Sequence, residues 1–487
     1  MNSILKHSRH LHIIERPDQC HVAYHKLFGN LTFLNDSALH LLEVFRNPIS
    51  LHEVNSRYVA YSEHINYFYN LYFLTSGDHD ERAELKDDLT HRSEELRGGK
   101  FLSGLQLCVS EACNFKCSYC FCDSVDERGD KRIELSNASE KLMSFETAVQ
   151  TIDKLMGHVR DTGRNALSIR FFGREPLTNW PVIEKVLHHY SADKRAGVSL
   201  QYSITTNGSL ITDKIAATLA QFNVHTTVSI DGLEHASNIN RLTILGQSTF
   251  TSAKRGIENL AAHKPVNVVS AVITALNFDS FDRKFVEFAH ENGAKEIQIL
   301  LGMQGDFIKA IKPEMVTARL VDLYVCGREL GVAVTGYWYN SLPVLFHTRK
   351  LRTDKHVQRG VGNSCSATGH QISVEPSGDI FPCRAMSTHL GHISALDEVL
   401  RSKTYSSLVM RTYNNVEDCR GCDIEGFCQG ECSGNSEKSK GDLYKIDGSY
   451  CDIYRGVNRS LLSMWQGFLA EGPPQPGYRS SPQPRAR

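Results

Sequence analysis

The chain has 487 residues, of which 41% are hydrophobic, and a formal net charge of −1 at pH 7. This length is enough for two or three domains with sizeable cores. The near-neutral charge gives no support for nucleic-acid binding, and no apolar run is long enough to cross a bilayer. The first residues, MNSILKHSRHLHIIERPDQ, lack the apolar segment of a signal peptide. We therefore expect a cytoplasmic protein with neither a membrane nor a nucleic-acid partner.

Residues 1–95 are predicted to form a small separate unit of strands and helices. Three β-rich runs, HLHIIE, CHVAYHKL and NLTFLN, come first, and helical patterns follow from DSALHLLEVF through EHINYFYNLYFLTSG. The charged stretch DHDERAELKDDLTHRSEELRGG ends in two glycines and predicts a solvated helix or linker at a domain boundary.

Strands and helices alternate from about residue 104 to residue 302. Helical segments such as SFETAVQTIDKLMGHV repeat their apolar residues along one face. This alternation predicts a parallel sheet, open or partly closed as a barrel. Ligands of such sheets bind at the carboxyl ends of the strands. The six predicted strands are LQLCVS, LSIRFFG, SLQYSITT, HTTVSID, VNVVSAVIT and EIQILLG.

The C-terminal part changes in composition. Residues 303–360 carry few signals, and from residue 361 the chain is rich in glycine and cysteine with short predicted elements. The tail EGPPQPGYRSSPQPRAR is proline-rich and basic, which is typical of disorder. We divide the chain at these shifts into 1–95, 96–310, 311–465 and 466–487.

Cysteine is the most informative residue type. Of the 14 cysteines, all but Cys20 and Cys326 fall within 108–122 or 365–451. Without a visible export signal, clustered cysteines indicate metal ligands or catalytic groups rather than disulfides. Cys108 and Cys122, at the two ends of the first group, are predicted to be structural.

Three cysteines in the loop after the first strand have the spacing C-x3-C-x2-C: Cys113, Cys117 and Cys120. Three thiolates suit a [4Fe–4S] cluster with one iron open to another ligand. A zinc site would instead need a fourth nitrogen or sulfur ligand from elsewhere in the chain. The three residues alone leave both interpretations open.

The triplet resembles the CxxxCxΦC motif of the radical S-adenosylmethionine (radical SAM) family, in which Φ is aromatic and is here Tyr119. The resemblance covers about residues 104–300 and implies a partial (β/α)6 barrel. It further implies that the three cysteines hold three irons of a [4Fe–4S] cluster, while the fourth iron binds the amino and carboxylate groups of S-adenosylmethionine. One-electron cleavage would then give methionine and a 5′-deoxyadenosyl radical that abstracts a substrate hydrogen.

The second strand ends in FFGREPL, which is similar to the GGEP loop of that family. Gly173, Glu175 and Pro176 match the motif, and Arg174 replaces its second glycine. The resemblance implies that the backbone of this loop approaches the methionyl amine of S-adenosylmethionine.

Two further strand ends resemble motifs of the family. SITTNG, residues 203–208, matches the segment whose polar groups lie near the methionyl carboxylate and ribose, which implies contacts from Ser203 and Asn207. SIDG, residues 229–232, is followed by Arg241, which resembles the arginine that pairs with the carboxylate. A bidentate arginine contact suits that group.

Seven more cysteines lie between residues 365 and 451. The central block alone is compatible with a zinc ribbon. The whole array is similar to the SPASM extension of peptide-modifying radical SAM enzymes, which implies two auxiliary [4Fe–4S] clusters that accept electrons from a substrate radical. The implied ligands of the first auxiliary cluster are Cys419, Cys422, Cys428 and Cys451, and those of the second are Cys365, Cys383 and Cys432. The fourth ligand of the second cluster is not identified, and Cys326 is a distant candidate.

Residues 29–54 resemble the PqqD-like, winged-helix-like recognition domain of peptide maturases. That domain binds a leader peptide as a strand added to its sheet; the alternative is a domain used only for packing. Together the resemblances imply an α/β oxidoreductase that acts on a ribosomally synthesised precursor peptide held by its leader. The implied reaction is a side-chain cross-link, carbon–carbon or thioether, and the implied electron donor is a flavodoxin or ferredoxin.

Two other functions stay open. One is a sulfatase-maturase-like enzyme that makes formylglycine; in that family an aspartate base follows the cysteine matching Cys383, where this chain has Arg384. The other is a non-catalytic metal-binding module that recruits a peptide. No general base stands out, and the acids Asp231, Glu375 and Asp379 near the motifs are predicted to be structural.

Overall fold

The structure is a computed structural model that describes residues 4–18, 20–77, 79–120, 142–191, 197–302, 310–347, 350–355, 365–411, 415–428 and 430–464. The predictions for Cys122 and for the tail 466–487 lie outside these residues. Among the helices of the described residues, none combines the length and the apolar character that crossing a membrane requires.

The N-terminal part contains two three-stranded sheets and four helices. One sheet has the order β2-β3-β4 and the other β5-β1-β6, and both are antiparallel. Of these six strands, the sequence analysis predicted β2, β3 and β4. Its prediction that the third helix extends through residues 74–76 was wrong, because those residues form β6. The elements are β1 (Ile4–His7), β2 (Leu11–Ile14), β3 (His21–His25), β4 (Gly29–Leu34), α1 (Asp36–Val44), β5 (Ile49–Ser50), α2 (Leu51–Arg57), α3 (Ser62–Asn70), β6 (Leu74–Ser76) and α4 (Glu81–Leu96).

The central sheet has the order β13-β12-β11-β10-β9-β8-β7-β14-β15-β16, in which β14 (Gln371–Val374), β15 (Asp379–Phe381) and β16 (Gly391–His392) come from the C-terminal part. From β7 to β13 the strands are parallel and follow the chain order, so the helices between them cover one face and the sheet curves as a partial barrel. This confirms the predicted α/β class and all six predicted strands. The elements are β7 (Gly104–Ser110), α5 (Phe145–Asp161), β8 (Ala166–Gly173), α6 (Trp180–Ser191), β9 (Ser199–Thr206), α7 (Asp213–Gln221), β10 (His225–Ser229), α8 (Glu234–Asn240), α9 (Phe250–His263), β11 (Val268–Ile273), α10 (Arg283–Glu291), β12 (Glu296–Leu301), α11 (Pro313–Leu330) and β13 (Ala333–Thr335).

Successive side chains of each barrel strand point alternately toward the surrounding helices and toward the interior of the barrel. In β8, Ile169 and Phe171 are fully buried among the helices, so Arg170 points to the interior. Gln106 of β7 and Ser203 of β9 are the register neighbours of Arg170. The interior of the barrel is therefore lined by polar groups, as a cavity for a polar ligand requires.

The cysteine-rich part continues the barrel sheet. β14 (Gln371–Val374) pairs in parallel with β7, and β15 (Asp379–Phe381) and β16 (Gly391–His392) extend the sheet in antiparallel order. Because β7 also leads into the Cys113 loop, this pairing brings both cysteine-rich regions to one side of the barrel. The remaining helices are α12 (Ser341–His347), α13 (Leu396–Arg401), α14 (Lys403–Val409), α15 (Glu425–Cys428), α16 (Ser433–Lys440) and α17 (Cys451–Ser463).

The N-terminal sheet β2-β3-β4 packs against the cysteine-rich part at Gly426. The Gly426 N–H donates to the Lys26 carbonyl at 2.8 Å, and a Cβ on Gly426 would lie 2.3 Å from the Leu27 carbonyl oxygen. Arg82 of α4 donates twice to the buried carboxylate of Glu425, at 2.5 and 2.9 Å. These contacts lie between Cys422 and Cys428, so the N-terminal unit directly supports that cysteine loop.

Candidate active site

The loop that carries Cys113, Cys117 and Cys120 follows β7 at the carboxyl end of the barrel sheet. Its backbone pairs with residues 240–244: the Lys116 N–H donates to Leu242 at 2.8 Å, and the Ser118 N–H donates to Asn240 at 2.9 Å. Electrostatic interactions connect the three thiols with one another. The structure therefore brings together the three residues that the spacing singled out.

Burial acts on the thiols of this loop. It raises the pKa of the Cys117 thiol to about 11 and also raises the pKa of Cys113. A bound cation would offset this effect and favour the thiolate forms. The Phe115 N–H donates to Cys113 Sγ at 3.3 Å, and such bonds to sulfur stabilise cluster ligands.

Tyr119 connects the cysteine loop with Asp231 and Arg241. Its hydroxyl donates to Asp231 Oδ2 at 2.6 Å and accepts from Arg241 Nη1 at 2.6 Å. Burial raises the pKa of Asp231, and the Arg241 guanidinium opposes that rise. Arg241 also interacts electrostatically with Cys117, so a buried positive charge lies beside the cysteine loop and is held there by Tyr119 and Asp231.

Gly173 and Glu175 connect the ends of three neighbouring strands. Gly173 has φ +133°, and a Cβ there would lie 2.1 Å from the Ser110 carbonyl oxygen, so the approach of β8 to β7 requires glycine. The buried Glu175 carboxylate accepts from the Asn207 N–H and the Thr206 hydroxyl, both at 2.7 Å. Burial raises the pKa of Glu175, and these hydrogen bonds oppose the rise. Glu175 therefore fixes the turn after β9.

Ser203 and Asn207 lie at different depths of the barrel. Asn207 is in the turn after β9, where its Nδ2 donates to Asn114 Oδ1 of the cysteine loop at 2.8 Å. Ser203 lies on the interior face within β9, in register with Arg170 and His225. The structure joins Asn207 to the mouth of the barrel and places Ser203 further inside.

Four of the C-terminal cysteines line one cavity: Cys419, Cys422, Cys428 and Cys451. Cys451 is the first residue of α17, and Arg455, one turn later, lies with its Nη1 3.8 Å from Cys422 Sγ. Burial raises the pKa of Cys451 to about 11 and that of Cys419 to about 12. The cavity therefore gathers four soft sulfur donors beside a guanidinium that favours their charged forms.

The other three C-terminal cysteines, Cys365, Cys383 and Cys432, interact electrostatically with one another. The Ala367 N–H donates to Cys365 Sγ at 3.3 Å. Burial raises the pKa of Cys432 to about 11, and backbone N–H groups that donate to its sulfur oppose the rise. Arg411 interacts electrostatically with Cys365, Cys419 and Cys432, so a buried positive charge lies between the two C-terminal cysteine sets.

Comparison with known proteins agrees with this arrangement. The model of the radical SAM superfamily matches residues 107–289, and the model of the iron–sulfur cluster-binding SPASM domain matches residues 365–423. The radical SAM cyclopropyl synthase TigE of Paramaledivibacter caminithermalis is 30% identical over 460 residues, which cover 93% of this chain and 95% of that protein. This chain belongs to the radical SAM superfamily.

One more distant relative and one solved structure are also similar to this radical SAM protein. The cysteine-type anaerobic sulfatase-maturating enzyme of Clostridium perfringens strain ATCC 13124 is 23% identical over 368 residues, 71% of this chain and 92% of that protein. The fold also matches the crystal structure of Streptococcus suis SuiB bound to the precursor peptide SuiA, with a TM-score of 0.51 and 16% identity over 92% of this chain and 99% of that chain.

The cofactors of this radical SAM enzyme are iron–sulfur clusters and S-adenosylmethionine, as the sequence predicted. The donor sets described above fit [4Fe–4S] clusters, because each set consists of cysteine sulfur and at least one sulfur in each accepts a backbone N–H. Cys326 does not join them. It is buried on α11, where its electrostatic neighbours are Arg283, Glu287, Glu329 and Asp322, so it is not the missing ligand of the second auxiliary set.

Sequence reasoning did not connect three charged residues of the radical SAM site, the buried Arg384 and the partly buried Glu111 and Glu375. The Arg384 guanidinium binds Glu111 and also lies 3.2 Å from Glu375 Oε1. Arg384 directly follows Cys383, and Glu111 lies two residues before Cys113. The sequence analysis named Arg384 and Glu375 separately, because the three residues become adjacent only when β14 pairs with β7.

Proposed function

We propose that this radical SAM enzyme oxidises a ribosomally synthesised precursor peptide and closes a carbon–carbon bond in a peptide side chain. The observation that carries the proposal is the pairing of β14 with β7, together with the contact of Arg384, next to Cys383 of the second auxiliary set, with Glu111 beside the Cys113 loop. Bond formation with loss of two hydrogens removes more electrons from the substrate than one hydrogen abstraction does, so a nearby electron acceptor is needed. Similarity to a cyclopropyl synthase over 95% of its length supports carbon–carbon rather than thioether chemistry.

The proposed roles of the site residues follow from their positions. Cys113, Cys117 and Cys120 would hold the cluster that binds S-adenosylmethionine, which when bound supplies a 5′-deoxyadenosyl radical. The other seven cysteines would hold the two auxiliary clusters in the sets described above. Gly173 lets the loop after β8 come close to β7, and Glu175 fixes Asn207 at the mouth.

The buried guanidinium of Arg241 supplies positive charge next to the cysteine loop. Because Tyr119 and Asp231 hold it, its position is set before S-adenosylmethionine binds. A fixed positive charge there favours the methionyl carboxylate. Ser203, deeper on the interior face, is placed to meet the ribose or the substrate, and the interior polar residues orient both.

We propose that residues 1–95 recognise the leader peptide, 96–310 form the radical SAM core and 311–465 form a linker and the SPASM domain that holds the auxiliary clusters. β4 is an edge of its sheet among the described residues, and Leu31, Thr32 and Phe33 on it are only partly buried. The exposed ring of Tyr67 on α3 lies beside this edge, with its hydroxyl 3.2 Å from Thr32 Oγ1. An extended peptide can add to such an edge and pack its side chains on the ring.

A formylglycine-generating activity is the second candidate, because the similarity to the sulfatase-maturating enzyme covers 92% of that protein. Arg384 weighs against it. In that family an aspartate base occupies the position after the matching cysteine, and a guanidinium cannot take a proton at neutral pH.

The test uses anaerobically reconstituted, reduced enzyme, S-adenosylmethionine and peptides encoded by short reading frames beside the gene. We expect 5′-deoxyadenosine and a peptide that has lost the mass of two hydrogen atoms without losing sulfur. A cysteine or serine converted to an aldehyde would instead establish the formylglycine reaction. A leader-deleted peptide serves as the control for recognition by residues 1–95.

A further inference from the structure

Glu375 lies at the mouth of the barrel, on its interior face. It follows β14, which runs parallel to β7, so Glu375 stands at the same sheet edge as the Cys113 loop. Ser373, two residues earlier on the same face of β14, has its Oγ 3.3 Å from Cys108 Sγ of β7. By strand alternation, the Glu375 side chain leaves the sheet on that same side.

Contacts with Arg384 bring Glu375 close to the second auxiliary cysteine set. Arg384 Nη1 donates to Glu375 Oε1 at 3.2 Å, and the Arg384 N–H donates to Gln106 Oε1 at 2.9 Å. Arg384 directly follows Cys383, and its side chain is 3% exposed, whereas that of Glu375 is 17% exposed. Glu375 is thus a partly exposed carboxylate beside a buried guanidinium.

Burial and the neighbouring charges act on the pKa of Glu375 in opposite directions. Burial and the carboxylates of Glu111 and Asp379 raise the pKa of Glu375 to about 8, while His389 acts in the opposite direction. The Arg384 guanidinium, in hydrogen-bond contact, also favours the charged form. A carboxyl group balanced in this way is suited to proton transfer.

We propose that Glu375 is the general base that removes a proton from the substrate radical while the auxiliary cluster at Cys365, Cys383 and Cys432 receives its electron. This inference rests on the proposed peptide oxidation. The first C–H bond is broken when its hydrogen atom passes to the 5′-deoxyadenosyl radical. A [4Fe–4S] cluster held by Cys365, Cys383 and Cys432 would supply the oxidant for the carbon radical and would be reduced by that one electron. A second C–H bond gives its proton to the Glu375 carboxylate, and its electron pair becomes the new carbon–carbon bond.

The test replaces Glu375 with glutamine, which can still accept from Arg384 but takes no proton in this way. With a peptide that the wild-type enzyme modifies, we expect Glu375→Gln to lower the yield of product per 5′-deoxyadenosine at least tenfold, because general bases contribute about 100-fold or more. Glu375→Asp should restore part of that yield. In wild type, product formation should rise with pH, because only the deprotonated carboxylate is a base. Glu398→Gln, at an exposed glutamate on α13, is the control, and we expect it to keep the product ratio within about twofold.

A second readout does not depend on turnover. Infrared difference spectra of the reconstituted enzyme, without S-adenosylmethionine or peptide, should show a carboxyl C=O band that disappears between pH 6 and 9 in wild type and is absent in Glu375→Gln. An unchanged product ratio in Glu375→Gln, with full iron content, would overturn the inference and leave peptide oxidation standing. If the wild-type enzyme modifies no peptide, the proposed function is wrong. In that case the infrared measurement still tests Glu375, because the absence of the band would overturn its assignment as a base.

Discussion

Replacing Gly173 with alanine tests how closely the loop after β8 must approach β7. The new methyl carbon would lie 2.1 Å from the Ser110 carbonyl oxygen. The backbone would have to shift, and the hydrogen bond from the Arg174 N–H to the same oxygen, 3.0 Å long, would be lost or lengthened. This is the loop that we propose to lie against the amine of S-adenosylmethionine.

The expected cost has two parts. Holding alanine at φ +133° costs about 1–3 kcal/mol, and relieving the overlap costs about 1–3 kcal/mol more. Gly163→Ala separates these parts, since Gly163 also has a positive φ of +74° but has nothing within 4 Å of its Cβ position. Both variants carry backbone strain, and only Gly173→Ala must also move the loop.

The assay is the dissociation constant of S-adenosylmethionine, measured by equilibrium dialysis on reconstituted protein with iron counted in each sample. If half of the overlap cost, about 1 kcal/mol, reaches the binding site, the constant rises about fivefold, since tenfold corresponds to about 1.4 kcal/mol. Gly163→Ala should bind like wild type. Binding by Gly173→Ala within about twofold of wild type, at equal iron content, would refute the proposed role of this loop.

Three further predictions concern the other parts of the molecule. Replacing Cys113, Cys117 and Cys120 together with alanine should abolish 5′-deoxyadenosine formation and leave roughly two thirds of the iron, because two of three [4Fe–4S] clusters remain. Chromatography measures the 5′-deoxyadenosine and iron analysis measures the clusters. Cleavage of S-adenosylmethionine at the wild-type rate would contradict the prediction. Arg82→Ala leaves the buried Glu425 carboxylate without its cation, which lowers the free energy of unfolding by about 3 kcal/mol. The backbone amides of residues 419–428 should therefore exchange hydrogen faster. Arg57→Ala, which breaks an exposed ion pair, is the control and should leave that exchange unchanged. Tyr67→Ala should weaken leader-peptide binding several-fold by fluorescence anisotropy, and unchanged affinity would exclude the β4 edge.

The barrel strands could be predicted because local patterns determine them. Each strand from β7 to β12 is a short β-rich run followed by a helix with an apolar face. The strands β1, β5 and β6 were missed because they have only two to four residues and pair with distant segments. The long helix Pro313–Leu330 was also missed, since its apolar residues do not form one clear stripe.

The cysteine groups could be proposed from spacing and family resemblance, but their polar partners could not. Arg241 was expected to meet a carboxylate of the ligand, and the structure also gives it Tyr119 and Asp231. Likewise, Glu375 and Arg384 become significant only through the pairing of β14 with β7, which joins segments more than 250 residues apart. Such contacts follow from tertiary structure, which a local pattern does not contain.

The measurement that tests the central claim most directly is made on reduced, reconstituted enzyme incubated with S-adenosylmethionine and the neighbouring precursor peptide. It compares the amount of 5′-deoxyadenosine with the amount of peptide that has lost two hydrogen atoms. The account predicts one modified site for each 5′-deoxyadenosine, together with a new carbon–carbon bond within a side chain. Formation of 5′-deoxyadenosine with formylglycine, or with an unchanged peptide for every candidate tested, would contradict it.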